Sequence, residues 1–389
     1  MHEHRSYLRQ AFGGPGIEPR WTHGGKDGVG TAYSADSRIW FTLWNGIITE
    51  VYYPTVDRPQ IRDLQYLITD GESFFHEEKR HLRSRAERLA DHALGYRITS
   101  VDPEGRYTID KEAITDPHLP CVLLHTRLTG DAQFLSRLRL YALCAPHLGG
   151  GGRNNNAHVV EVAGREILVA EKNGTWLAMA ATIPFARLSC GYVGRSDAWT
   201  DLADNFQMDW EFDHALDGNV ALTGELDLRG RHNFTLGLAL GDGLHSAATT
   251  LFQALGLPFK EQRRRYIEQW DRVCQRILPL DKVSGDSGNL YHGSYSLLMG
   301  HEDKTYPGAL IASLSIPWGE SKSDEDKGAY HLVWTRDMVN SATGLLAAGN
   351  TETPFRGAGL PGYQPAARWR LSPELLDQRR ALLAGDTTR

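Results

Sequence analysis

The chain has 389 residues, of which 41% are hydrophobic and 23% charged, the proportions of an ordinary folded protein. That length suffices for a substantial core and for two or three domains. A formal net charge of -6 leaves no basic footprint for nucleic acid, no stretch is long and apolar enough to span a membrane, and residues 1–21 hold no signal-like apolar run. The expected partners therefore include neither nucleic acid nor membrane, and the expected compartment is cytoplasmic. Cys121, Cys144, Cys190 and Cys274 are widely spaced with no CxxC, which predicts buried free thiols. The histidines, among them His76, His81, His118, His125 and His147, show no metal-ligand spacing and read as surface or pocket residues, so no metal and no cofactor is expected.

From residue 29 to about 242 the sequence reads as β structure. In residues 233–241, Phe234, Leu236, Leu238 and Leu240 alternate with Thr235, Gly237 and Ala239, a period of two that sends successive side chains to opposite faces. In residues 133–144, Phe134, Leu138, Leu140 and Ala142 share one face, and Arg137, Arg139 and Tyr141 the other. Asn173-Gly174 stands between two apolar runs and supplies the positive φ angles of a type I′ hairpin turn. Residues 149–152 are four glycines. No GK[ST] follows them, so they read as a flexible hairpin loop and not as a phosphate cradle. Many short strands without strand–helix alternation predict a large sandwich of antiparallel sheets.

The period changes after Asp242. Residues 246–278 read as helical with a break at 256–258, and Tyr266, Ile267, Trp270, Val273, Cys274 and Ile277 form one apolar stripe of a linker helix. A second helical region starts near Asp286-Ser287, with Leu290, Tyr291, Ser294, Leu297 and Leu298 as its expected stripe. A further helix is expected over 337–348, carrying Met338, Ala342, Leu345 and Leu346 and stopping at Gly349-Asn350. The turn-rich stretch between these two helices is too long for a simple connector, a feature common in functional segments. Residues 351–389 hold six Arg but no Lys, Ile or Val, and read as a poorly ordered tail. The expected divisions are thus 1–245 for the β domain, 246–280 for the linker, 281–350 for the start of a helical domain and 351–389 for the tail.

The stretch richest in chemistry is residues 329–340. Tyr330 and Trp334 are four apart, and Arg336 and Asp337 follow at once. A guanidinium fork beside a carboxylate can grip neighbouring sugar hydroxyls, and the two rings can lie on the apolar face of a pyranose. On the pattern alone, the plainer reading carries more weight: a cap-side ion pair, with Trp334 in the core. Acidic residues nearby are Glu320, Asp324, Glu325, Asp326 and Glu352, but residues 321–327 form a charge run of the solvated-loop kind.

Tyr330-His-Leu-Val-Trp334-Thr-Arg336-Asp337-Met338, preceded by Ile311-Ala-Ser-Leu-Ser-Ile-Pro-Trp318-Gly319, resembles the first substrate-binding segment of glucoamylases and glucodextranases, glycoside hydrolase family 15. Residues 13–71 resemble the prokaryotic branch of that family, and the likeness covers roughly residues 12 to 353. The resemblance implies a mainly β chain with α elements: an antiparallel β-supersandwich, a linker helix and the first helices of an incomplete (α/α)6 barrel. It implies inverting release of glucose from the non-reducing ends of α-glucans, so the expected partner is an α-glucan oligosaccharide or polysaccharide. Trp334, Arg336 and Asp337 would line the pocket for the terminal glucose, Tyr330 would sit under the same ring, and Trp318 would be a further wall.

Inversion needs a carboxylic acid and a carboxylate about 6.5–9.5 Å apart, with a water between. In the family both are glutamates on later helices, beyond the matching segment. The resemblance therefore implies no catalytic residue in this chain, a truncated product and no hydrolysis by it alone. The alternatives are a non-catalytic carbohydrate-binding or assembly module, and a trehalase or glycoside phosphorylase of similar architecture.

Overall fold

Alternating apolar residues build the architecture. In the computed structural model, which describes residues 9–359, they form two antiparallel sheets packed face to face. The strands up to the middle of the domain are β1 (Gly28–Gly30), β2 (Trp40–Trp44), β3 (Ile47–Tyr52), β4 (Ile61–Thr69), β5 (Phe75–Glu77), β6 (Arg83–Arg88), β7 (Tyr96–Val101), β8 (Tyr107–Thr115) and β9 (Cys121–Gly130). They continue as β10 (Arg139–Pro146), β11 (Asn155–Val162), β12 (Arg165–Lys172), β13 (Thr175–Ala181), β14 (Phe185–Tyr192), β15 (His214–Gly218), β16 (Val220–Leu226) and β17 (Asn233–Gly241). The first sheet runs β1-β2-β3-β4-β10-β16-β14, with β5 also paired to β4. The second runs β15-β11-β12-β13-β17-β9-β8-β7-β6.

The helices are α1 (Glu78–His81), α2 (Ala132–Leu135), α3 (Ala198–Asn205), α4 (Leu244–Gly256), α5 (Phe259–Cys274), α6 (Asn289–Gly300), α7 (Thr335–Ala347) and α8 (Glu352–Gly359).

The expected alternation sets which residues meet. Phe234, Leu236, Leu238 and Leu240 of β17 join Leu140, Ala142 and Cys144 of β10 in the core between the sheets. Burying each leucine contributes about 1.5–3 kcal/mol. Tyr141 and Leu143 face the other way, under α3. The turn between β12 and β13 holds Asn173 at φ 50° and Gly174 at φ 80°, as expected of a type I′ turn. The outer face of the second sheet is covered by Ala247, Leu251 and Ala254 of α4 and by Tyr266 and Trp270 of α5. Gly237 permits this contact, because a Cβ there would stand 2.8 Å from a Leu251 methyl. Tyr266 donates its hydroxyl to the carbonyls of Thr31 and Leu94, each at 2.7 Å, which fastens α5 to the sandwich.

Four expectations need correction. The buried face of α6 is Gly293, Tyr295, Ser296 and Met299; Leu290 is 71% exposed and Leu297 is exposed. Small residues decide the face: Arg88 lies against Gly293 and Leu94 against Gly300, while Ser296 donates to the His92 carbonyl at 2.5 Å. The glycines at 149–152 do not form a free hairpin loop. They cross from β10 in one sheet to β11 in the other, and Gly152 is wedged against Pro19 and His147. His147 itself is fully buried, which pushes its imidazole well below the ordinary range. The tail expected from residue 351 opens instead with α8, where Thr353 and Arg356 both bond Glu302, at 3.2 and 3.1 Å. Its remainder, residues 360–389, lies outside the described residues. Among the described residues no helix is long and apolar enough to cross a membrane.

Candidate functional site

The segment between α6 and α7 is hung from the sandwich. Asp303 accepts from the backbone amides of Val56, Thr305 and Tyr306 at 2.7–2.8 Å, and burial raises its carboxyl above the usual range. Lys304 is half-buried beside it, donating to Thr31 Oγ1 at 2.6 Å and to the Ser37 carbonyl, with its ammonium 4.9 Å from the Trp40 ring. Burial pushes that ammonium well below its ordinary value. Ser315 donates to the Gly24 carbonyl at 2.9 Å, and Gly24 lies tight against Pro317. Sequence reading gave Asp303 and Lys304 no role, because Val56, Thr31, Ser37 and Trp40 beside them lie more than 200 residues earlier.

Two backbone bonds then pair the ends of the segment: Ala312 donates to Leu332 at 3.1 Å and Ser313 to Tyr330 at 2.8 Å. Between them the chain folds back so that Trp318 Nε1 stands 3.1 Å from where a Cβ on Gly328 would be. That brings Trp318 beside the turn leading into Tyr330. Asp324 departs from the expectation of a solvated charge run. It is buried, with its Oδ2 accepting from Gly152 N at 2.7 Å and its carbonyl accepting from Trp21 Nε1 at 2.8 Å.

The sequence-predicted residues lie on this segment and on the first turn of α7, a partly exposed rim. Trp334 caps α7 and is 50% exposed, its indole N–H donating to the Ala329 carbonyl at 2.9 Å. It is not a core residue, so half of the plainer reading fails. The other half holds in part: Arg336 and Asp337 do pair, at 3.6 Å, with Arg336 almost fully exposed. An exposed pair of that length contributes about 0–1 kcal/mol, which leaves both groups available to a ligand. Asp337 also sits in the first turn of α7, where the helix N-terminus favours negative charge. Tyr330 and Trp318 are exposed at 47% and 39%, and Lys322 holds its ammonium 4.0 Å from the Trp318 ring. Behind this rim His331 is buried without a partner for Nδ1, and burial brings its pKa down to about 4. Among the described residues no group of three or more His, Cys, Asp or Glu is placed to hold a metal.

The arrangement can present aromatic faces, a guanidinium and a carboxylate together, a combination suited to a neutral ring bearing hydroxyls. A family model described as glucodextranase, domain N, matches residues 11–275, and one described as glycosyl hydrolases family 15 matches residues 285–358. The sandwich and its helical extension therefore match two carbohydrate-enzyme family models in chain order. The chain belongs to the glucodextranase N-domain family and continues into a family 15 segment. A glucoamylase from Clostridium sp. (strain G0005) is 35% identical over 346 residues, covering 89% of this chain and 49% of that protein. The crystal structure of a bacterial glucoamylase complexed with acarbose matches with a TM-score of 0.88 at 34% identity, covering 93% of this chain and 55% of that one. The chain spans about half the length of these relatives.

Proposed function

We propose that the chain supplies the sandwich and one wall of the sugar pocket of a glucoamylase-like glycoside hydrolase, an inverting enzyme that releases glucose from the non-reducing ends of α-glucans. The observation that carries this is the half-exposed Trp334 at the start of α7, with Arg336 and Asp337 the second and third residues of the helix and within the family 15 match. Arg336 and Asp337 bind vicinal hydroxyls of the terminal glucose, Trp334 and Tyr330 line its apolar face, and Trp318 extends the wall.

Support for further helices packing here, as in an (α/α)6 barrel, comes from the outward faces of α6 and α7. Leu290, Leu297, Val339 and Leu346 are all exposed, whereas soluble proteins seldom leave such ridges uncovered. The proton donor and the water-activating carboxylate belong, in this reading, to those helices, as the resemblance to the family implies.

Two measurements on the 389-residue chain test the reading. Glucose release from maltose should be absent, and measurable release would place the acid–base pair within this chain. Saturation-transfer NMR should detect acarbose on the chain, with the signal lost in Trp334→Ala and Asp337→Asn while the thermal transition stays put. A signal untouched by both substitutions would remove the wall from the sugar site.

A further inference from the structure

Trp40, Thr42 and Trp44 share the face of β2 that points away from the sandwich core, since Phe41 and Leu43 point into it. On that outer face Ile311 and Leu314, from the segment between α6 and α7, pack over Trp40. Trp44, at the end of the strand, is half-buried and meets a ring from another part of the chain. The His23 imidazole stacks on its indole, with centroids 4.4 Å apart and planes 11° from parallel. His23 is exposed, which leaves the outer side of the stack open to a ligand. Gly25 N donates to His23 Nδ1 at 3.0 Å, so the neutral ring carries its proton on Nε2. Neither that N–H nor Trp44 Nε1 has a protein partner among the described residues.

The stack is held in place on both sides. Lys26 donates to the His23 carbonyl at 2.9 Å and pairs with the buried Glu50 at 2.9 Å. Asn45 N donates to Asp27 Oδ2 at 2.6 Å, which ties the turn after Trp44 to the same loop. The stack also stands next to the segment that carries Trp318. A Cβ on Gly319 would be 2.7 Å from Gly24 N and 3.1 Å from the His23 carbonyl carbon, and one on Gly24 would collide with the Pro317 carbonyl. Residues 23–24 therefore pack directly on residues 317–319, and His23 and Trp318 leave adjoining stretches of backbone. A glucan whose terminal ring occupies the rim at α7 has further rings to place on neighbouring surface. A flat aromatic face edged by N–H donors suits a pyranose there.

We propose that the His23–Trp44 stack is a saccharide subsite contributed by the β domain, taking a glucosyl unit beyond the terminal glucose of an α-glucan. The ring of that unit lies on the outer face of His23, and hydroxyls of the adjoining unit accept from His23 Nε2 and Trp44 Nε1. This rests on the reading of the α7 rim as a sugar wall and lengthens that wall onto the sandwich.

The test is the advantage of a long glucan over a single sugar. Maltoheptaose and glucose are titrated against the 389-residue chain by saturation-transfer NMR. The ratio of their affinities should fall about three- to tenfold in His23→Ala and in Trp44→Ala. His23→Phe, which keeps the ring face, should restore most of it, a recovery that a purely structural role for the stack does not give. Far-UV circular dichroism checks that each variant folds, and the exposed His23 keeps the test alive if Trp44→Ala does not. A ratio indifferent to both alanine substitutions, or no advantage of maltoheptaose in the unaltered chain, would overturn the proposal. Failure of the α7 wall reads out separately, as acarbose contact insensitive to Trp334→Ala.

Discussion

Lys111 and Glu78 form an ion pair sealed inside the sandwich, and removing either partner should cost far more than removing both. Their side chains are 2% and 0% exposed. Lys111 also donates to the Gly46 carbonyl at 2.6 Å and holds its ammonium 5.6 Å from the Tyr66 ring. Glu78 accepts from Ser100 Oγ at 3.0 Å and from Tyr66 N at 3.1 Å. Burial lowers the Lys111 pKa and the Glu78 carboxylate opposes that shift, so Glu78→Gln drives it further down.

Breaking a buried pair from one side costs about 3–5 kcal/mol, a large part of the ~5–15 kcal/mol by which folded proteins are stable. In the double variant Glu78→Gln/Lys111→Met no charge remains, and the glutamine oxygen still accepts from Tyr66 N while its amide NH2 can donate to Ser100 Oγ. What is lost is the donor to Gly46, about 1–3 kcal/mol. The double variant should therefore be more stable than either single one. Urea unfolding followed by far-UV circular dichroism reads this as midpoint shifts at unchanged slope. Additive losses, or a Lys111→Met cost below about 1 kcal/mol, would refute the reasoning.

Gly237→Ala gains about 0.5–1 kcal/mol of strand preference but drives a Cβ into Leu251 and Leu255, an overpacking cost of about 1–3 kcal/mol, so the transition should fall in a thermal melt. Gly174→Ala, at φ 80° in the β12–β13 turn, should lower stability by about 1 kcal/mol, measured as a urea midpoint. His331 titrates at about 4 in the fold against an ordinary 6.5, so between those values the unfolded chain binds the extra proton. Stability should be present above pH 6.5 and fall as pH drops toward 4, and His331→Gln should flatten that slope in melts taken across the window.

The strands were legible because each sheet face is read by a local rule: alternation placed Leu236, Leu238 and Leu240 in the core and Tyr141 outside it. The Asn173-Gly174 turn was legible because its backbone angles belong to those two residues alone. The buried face of α6 was not. Its leucines suggested one stripe, but Gly293, Ser296 and Gly300 admit residues 88–94, more than 200 positions distant, and close approach outweighed hydrophobicity. Asp324 was hidden for a like reason: inside a run of charges nothing marks the one that Trp21 and Gly152 pull inward. The Trp334 rim became visible through resemblance, since residue types alone fit a buried cap equally well.

The sandwich orients the rim as well as supporting it. Thr31 accepts from Tyr266 and Trp270 through its carbonyl, at 2.7 and 3.1 Å, and from Lys304 through its hydroxyl at 2.6 Å. One residue of the β domain thus ties together the linker helix and the segment that carries the aromatic wall. Val56, Gly24 and Trp21 add three more tethers, to Asp303, Ser315 and Asp324. Tyr330, Trp334 and Trp318 meet few covering side chains of their own, being 39–50% exposed, so their positions depend on these anchors at the back of the segment. In the proposed reading the wall binds sugar, and such a wall must be stiff before the ligand arrives, or binding energy is spent ordering it. A β domain bonded at four points behind the wall provides that stiffness, which accounts physically for why it precedes the helical segment in one chain.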